Sequence, residues 1–194
     1  MSVAVRTGGY NRSRFHPKKF TLLVACASIV MMFAAFTSAY IVRKAAGNWL
    51  EFQLPAIFYV STGVLLASSL ALHGSYLAFK RKKATPYKAL MVFATLLGFG
   101  FVVLQWEGWQ ALTAIGAGLR TNPSSSFVYV ISGVHAAHVL GGIAALAVAL
   151  IHAFGLPFKL TRRRKLRLEM TLIYWHFVDL LWIYLLVFFV MQQS

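Results

Sequence analysis

Five apolar runs of more than twenty residues alternate with short polar stretches along the chain: 20–42, 55–79, 89–110, 127–154 and 169–191. Crossing ~30 Å of hydrocarbon at a rise of 1.5 Å per residue takes about 20 apolar residues, so each run is long enough to span a bilayer. In lipid a helix satisfies its own backbone N–H and C=O groups, so each run is expected to be a transmembrane helix. The expected fold class is an all-α integral membrane protein. A basic tail, 1–19, precedes one domain, 20–194, built as a bundle of five transmembrane helices. Pro55 is expected in the first turn of the second helix, where its missing N–H costs nothing. No internal repeat is visible, which gives little support to a transporter built from repeated halves.

The polar stretches orient the bundle. Arg6, Arg12, Arg14, Lys18 and Lys19 lie in the tail, and Lys80, Arg81, Lys82, Lys83 and Lys88 lie between runs two and three. Lys159, Arg162, Arg163, Arg164, Lys165 and Arg167 lie between runs four and five. These sixteen cations fall on one side, against Arg43, Lys44 and Arg120 on the other. The excess of positive charge in cytoplasmic loops places the N-terminus in the cytoplasm and the C-terminus outside. Trp49, Trp109 and Tyr129 fall near the outer boundary and read as members of the interfacial aromatic belt.

Composition agrees. Hydrophobic residues make up 59% of the 194, and charged residues only 12%. That excludes a disordered chain and an ordinary soluble domain. The net charge of +15 is gathered in short loops and not along a groove, so no nucleic-acid partner is expected. Cys26 is the single cysteine, which excludes a disulfide framework and reads as a small buried side chain. The first run has no small-residue cleavage site after it and reads as a retained anchor.

Ionisable side chains within a bilayer mark function or a buried partner. The candidates are Glu107, Glu169, Asp179, His73, His135, His138, His152 and His176. Glu107 and Glu169 lie near span ends, within snorkelling reach of the interface. His135 with His138, and His176 with Asp179, are pairs at i, i+3 and share a helix face. His138 and Asp179 both lie roughly 17 Å below the outer ends of their runs. A clasp between them is one reading; local backbone or hydroxyl partners for each group is the other. A four-ligand metal site is not expected, because His135 and His176 would differ in depth by about 10 Å. Small residues, Ala67-Ser68-Ser69, Gly98-Phe99-Gly100 and Gly141-Gly142, read as close helix packing.

Run five carries Glu169, then Tyr174-Trp175-His176-Phe177-Val178-Asp179 and Trp182. This resembles the last helix of subunit III of the haem–copper terminal oxidases: an acidic residue, then Tyr-Trp-His-Phe-Val-Asp-x-x-Trp. Run four, with Gly133, His135, His138 and Gly142, is similar to that family's Gly-Phe-His-Gly-Leu-His-Val-x-x-Gly. Leu54-Pro55, Ser61-Thr62 and Leu65-Leu66-Ala67-Ser68-Ser69 in run two, and Gly98, Phe101, Gln105 and Trp109 in run three, resemble its other helices more loosely. Three features depart from the family. The chain has five spans, as in its short members, where larger members have seven. Ile29 stands where the family has a carboxylate facing the second histidine of run four, here His138. Gly108 stands where the family has a glutamate, and Glu107 is turned about 100° away.

The resemblance implies a non-catalytic subunit with no catalytic, cofactor or metal residues of its own. Haems and copper would lie in partner subunits, with subunit I as main contact and subunit II beside it. It implies bound phospholipid, support of proton uptake and protection during turnover. The N-terminus lacks a clear amphipathic presequence, so a bacterial cytoplasmic membrane is expected over a mitochondrial one. His135, His138, Glu169, Trp175, His176 and Asp179 are then structural intramembrane groups. Lys80, Arg81, Lys82, Lys83, Arg162, Arg163, Arg164, Lys165 and Arg167 are expected either to contact lipid headgroups, at about 1 kcal/mol per cation, or to set topology alone. The competing readings are a small proton-coupled transporter using Asp179 and the intramembrane histidines, and a b-type cytochrome using His73 and His152. The electron donor is read by other subunits.

Overall fold

A computed structural model describes residues 16–158 and 160–192. Arg6, Arg12, Arg14 and Lys159 of the cation set lie outside the described residues. Five helices are found: α1 Pro17–Ala45, α2 Ile57–Lys80, α3 Ala84–Ala114, α4 Pro123–Gly155 and α5 Arg162–Gln192. Each is long and apolar enough to cross a membrane. Most overrun the apolar runs by several residues, because the backbone ladder continues past the hydrocarbon into residues that remain good helix formers. Pro55 precedes the N-cap Ala56 instead of opening the first helical turn, although its carbonyl already accepts from Phe58 N at 3.1 Å.

Capping explains the ends. His16 caps α1 and Asn122 caps α4, each with proline at the first position. Asn122 also ties two loops: its Oδ1 accepts from Leu50 N, and its Nδ2 donates to Asn48 O, each at 3.2 Å. At the end of α3, Gly116 N donates to Thr113 O and Ala117 N to Leu112 O, a Schellman closure with Gly116 at φ 83°. The end of α2 closes the same way, but Lys82 takes the left-handed position at φ 57°. A side chain there is strained where glycine is not. Lys82→Gly is therefore expected to raise stability by about 0.5–1 kcal/mol, measured as the unfolding midpoint in detergent.

Packing makes a ring of α2, α3, α4 and α5, each against the next and α5 against α2. α1 lies outside the ring against α4 and α5, parallel to α5. Lys19 meets Glu169 at one end and Lys44 donates to the Gln192 carbonyl at the other, at 2.6 and 2.7 Å. Among the described residues α1 and α2 do not pack on one another, although they are adjacent in sequence. The described cations Lys18, Lys19, Lys80 to Lys83, Lys88 and the α5 cluster thus gather at one end, here called the basic end.

The α2–α3 pair is the closest, because small side chains let the backbones approach. Ser68 Oγ donates to Ala94 O at 2.8 Å and Ser75 Oγ to Tyr87 O at 2.9 Å. The ring and its contact with α1 are filled by aromatic side chains. Trp175, Trp182, Phe33, Phe58 and Phe101 are fully buried. Trp175 lies between two glycines: a Cβ at Gly98 would sit 2.8 Å from its ring, and one at Gly142 2.9 Å. Gly108 serves Phe58 likewise, with a Cβ there 3.0 Å from the ring. This gives a physical reason for glycine at the family's glutamate position. Phe58 is itself stacked on Trp182, so it has little room to give. Gly108→Val is expected to cost about 1–3 kcal/mol in the same unfolding assay.

Candidate functional site

The intramembrane polar groups divide into three places. The first is the basic end, where Glu169 at the start of the α5 span collects three helices. Its Oε2 accepts from Lys19 Nζ at 2.6 Å and its Oε1 from Tyr76 Oη at 2.8 Å. Lys165, one turn earlier, lies 3.8 Å away. Only the Lys165 contact, at i, i+4, was visible from spacing. Tyr76 and Lys19 are remote in sequence and carried no signal.

The second place is the α2–α5 seam. These helices run antiparallel, and their facing residues pair in order: Tyr76 with Glu169, His73 with His176, and Thr62 with Trp182. His73 Nδ1 lies 3.4 Å from His176 Nε2, and the Ser69 hydroxyl bonds His176 Nδ1. Asp179, buried, has Ser69 as its polar neighbour. His176 and Asp179 do share a face, as their spacing requires, and that face meets α2. The seam's members on α2 include Tyr76, which the sequence did not single out, and Ser69, which it read as close helix packing.

The third place is the core at α4. His135 is fully buried, stacked on Trp182 at 4.9 Å between centroids, with its edge to Phe33 and Phe101. Neither ring nitrogen has a hydrogen-bond partner within the chain. His138, although only three residues on, turns towards α1. Its Nδ1 donates to Val134 O at 2.8 Å and its ring meets Phe33 at 5.8 Å. The His138–Asp179 clasp is therefore corrected: His138 is committed to its own helix, and Asp179 faces α2 and not α4. Ile29, in the family's carboxylate position, packs as an apolar side chain at the edge of the core.

His152 and His73 do not face one another. His152 donates to Val148 O at 2.7 Å and accepts from Arg167 at 3.1 Å, while His73 is held at the α2–α5 seam. Among the described residues no three His, Cys, Asp or Glu side chains gather as a metal would need. Cys26 is buried and Glu107 exposed. The belt aromatics also bond helix to helix: Trp109 donates to Ser132 Oγ at 2.9 Å, and Tyr129 to Trp109 O at 2.7 Å. Trp49 packs on Tyr40 at 4.7 Å.

Of the loop cations, Lys80, Arg81, Lys82, Lys83, Arg162, Arg163, Lys165 and Arg167 are exposed, and Arg164 is half-buried. Arg164 donates to the carbonyls of His152 and Pro157, both at 2.8 Å, closing the α4–α5 turn. Arg164, Arg167 and His152 stand at the polar rim of a groove of about 340 Å³ whose other walls include Leu22, Val148 and Tyr174. Apolar walls below a cationic rim match the two halves of a phospholipid.

Fold and site together define a multi-pass helical membrane protein whose buried polar groups mostly bond helix to helix. Residues 15–194 match the cytochrome c oxidase subunit III family. The chain is 30% identical over 171 residues to the cytochrome c oxidase subunit 3 of Thermostichus vulcanus, covering 84% of this chain and 82% of that one. It is 34% identical over 140 residues to that of Carassius auratus, covering 70% of this chain and 49% of the longer fish protein. The chain belongs to the cytochrome c oxidase subunit III family. It is an accessory subunit of a multi-subunit oxidase.

Proposed function

We propose that this chain seats on the catalytic subunit I of a terminal oxidase, next to subunit II, in a bacterial cytoplasmic membrane. Its basic end faces the cytoplasm and holds phospholipid. It supports proton uptake and keeps the oxidase active through repeated turnover, while the haems and copper sit in the partner subunits. One observation carries the lipid part: the apolar groove rimmed by Arg164, Arg167 and His152. The orientation rests on the sixteen-to-three imbalance of cations.

The test is to tag the C-terminus, extract in mild detergent, and record a reduced-minus-oxidised spectrum of what co-purifies. Haem bands with two larger chains are expected, and oxygen uptake with cytochrome c or quinol then names the donor. A colourless chain without partners, from membranes that contain the oxidase, overturns the proposal. For lipid, Arg164→Gln with Arg167→Gln is expected to reduce the anionic phospholipid retained after purification. Unchanged retention removes the headgroup role. The polar α2–α5 seam also suits a proton relay through Asp179. That reading requires proton flux from the isolated chain in liposomes.

A further inference from the structure

Lipid tails accept no hydrogen bonds, so an ionisable side chain exposed at membrane depth marks a place where protein lies outside. His73 is exposed, and it lies seven residues inside the end of α2 at Lys80, about 10 Å along the axis. Behind it the seam holds its ring: Nδ1 lies against His176, and His176 is in turn bonded to Ser69. This leaves Nε2 for a partner beyond the chain. One turn further along α5, the buried Asp179 Oδ1 also has no hydrogen-bond partner within the chain.

The surface around His73 is built for a helix. Leu66, Leu70 and Leu77 are exposed on the same face of α2 and with His73 keep the four-three-four spacing of a single helical stripe, and Leu70 is 74% exposed. α1 leaves this face open by packing against α4 and α5. The outward face of α3 differs in kind: Phe93, Leu96, Phe99 and Val103 make its middle apolar, and its exposed carboxylate, Glu107, lies within snorkelling reach of the interface near the end of the apolar run at 110.

We infer that the α2–α5 edge is the seat of a transmembrane helix of a neighbouring oxidase subunit. That helix presents a hydrogen-bonding side chain, a hydroxyl, amide or carboxyl, at the depth of His73, and small residues against Leu70. The inference rests on the reading that the chain works inside an oxidase. The leucines supply the packing and His73 the polar contact that fixes register, since a mismatched helix leaves the imidazole unpaired in hydrocarbon.

The test uses the tagged complex in native membranes. A photoreactive residue is placed at position 70, and in a separate variant at position 96 on α3. Light is expected to link position 70 to a larger subunit and position 96 to lipid. His73→Leu is expected to lower the haem-bearing partners recovered with the tag at least five-fold, with the isolated chain still folded and helical in detergent. Linkage from position 70 only to lipid or to a second copy of this chain overturns the inference, as does unchanged recovery with His73→Leu. Should the unmodified chain recover no haem-bearing partner, the oxidase reading itself fails, and the seat with it.

Discussion

Replacing Trp175 by alanine is expected to lower the unfolding free energy by about 3 kcal/mol, read from the unfolding midpoint in detergent micelles. The indole fills the space between Gly98 and Gly142, on two different helices, and contact is already tight on both sides. Neither glycine can extend a side chain into the void, so the gap stays open and its lining loses dispersion contacts. In a bilayer, helix association gains no hydrophobic transfer energy, so packing loss dominates and the effect sits at the low end of core aromatic deletions. Phe99→Ala is the control. Phe99 is next to Gly98 but exposed on the outside of α3, and its loss is expected to leave the midpoint within about 0.5 kcal/mol. Equal shifts for the two variants would show that Trp175 does not fill the ring.

The second large effect is at the basic end. Glu169→Lys is expected to cost about 2 kcal/mol and to loosen the start of α1. The carboxylate faces Lys19 and Lys165, so reversal brings three ammonium groups together and removes the acceptor of Tyr76. The side chains of Glu169 and Lys19 are 19% and 31% exposed, so the cost lies between that of a buried pair and a surface one. Trypsin cleavage after Lys18 and Lys19 is expected to speed up in this variant, and Glu169→Gln to fall between it and the parent. Cleavage at the parental rate would mean that packing on α4 and α5 alone holds α1.

Much of the fold was legible because a bilayer imposes one length and one polarity on every span. The five apolar runs each contain the core of one helix, and most of the described cations fall at one end. Helix ends were misplaced where the ladder continues into water, as at Arg162 and Ala84. The shared face of His176 and Asp179 followed from spacing, since three residues is nearly one turn. Which helix that face meets did not follow. Depth alone allowed Asp179 to reach His138; α5 touches both α4 and α2, and the face that carries Asp179 meets Ser69 on α2. Glu169 with Lys19, 150 residues apart, was likewise invisible to any local pattern. The glycines at 98 and 142 read as packing, but the indole between them appeared only with the third dimension.

The order of packing also differs from the order of synthesis. α1 is made first, yet the surfaces it rests on belong to α4 and α5. At ordinary translation rates the last of these leaves the ribosome on the order of ten seconds after α1. Through that interval α1 sits in the membrane as a lone span, apolar enough to be stable there, while α2 and α3 pair without it. The full set of native contacts of α1 is therefore available only once α4 and α5 are both made. The stretch from Ala46 to Ala56 tethers α1 across the end of the bundle, where Asn122 and Tyr40 hold it. A chain severed there would still hold both halves of the final contact, and α1 supplied as a separate peptide would find its groove complete.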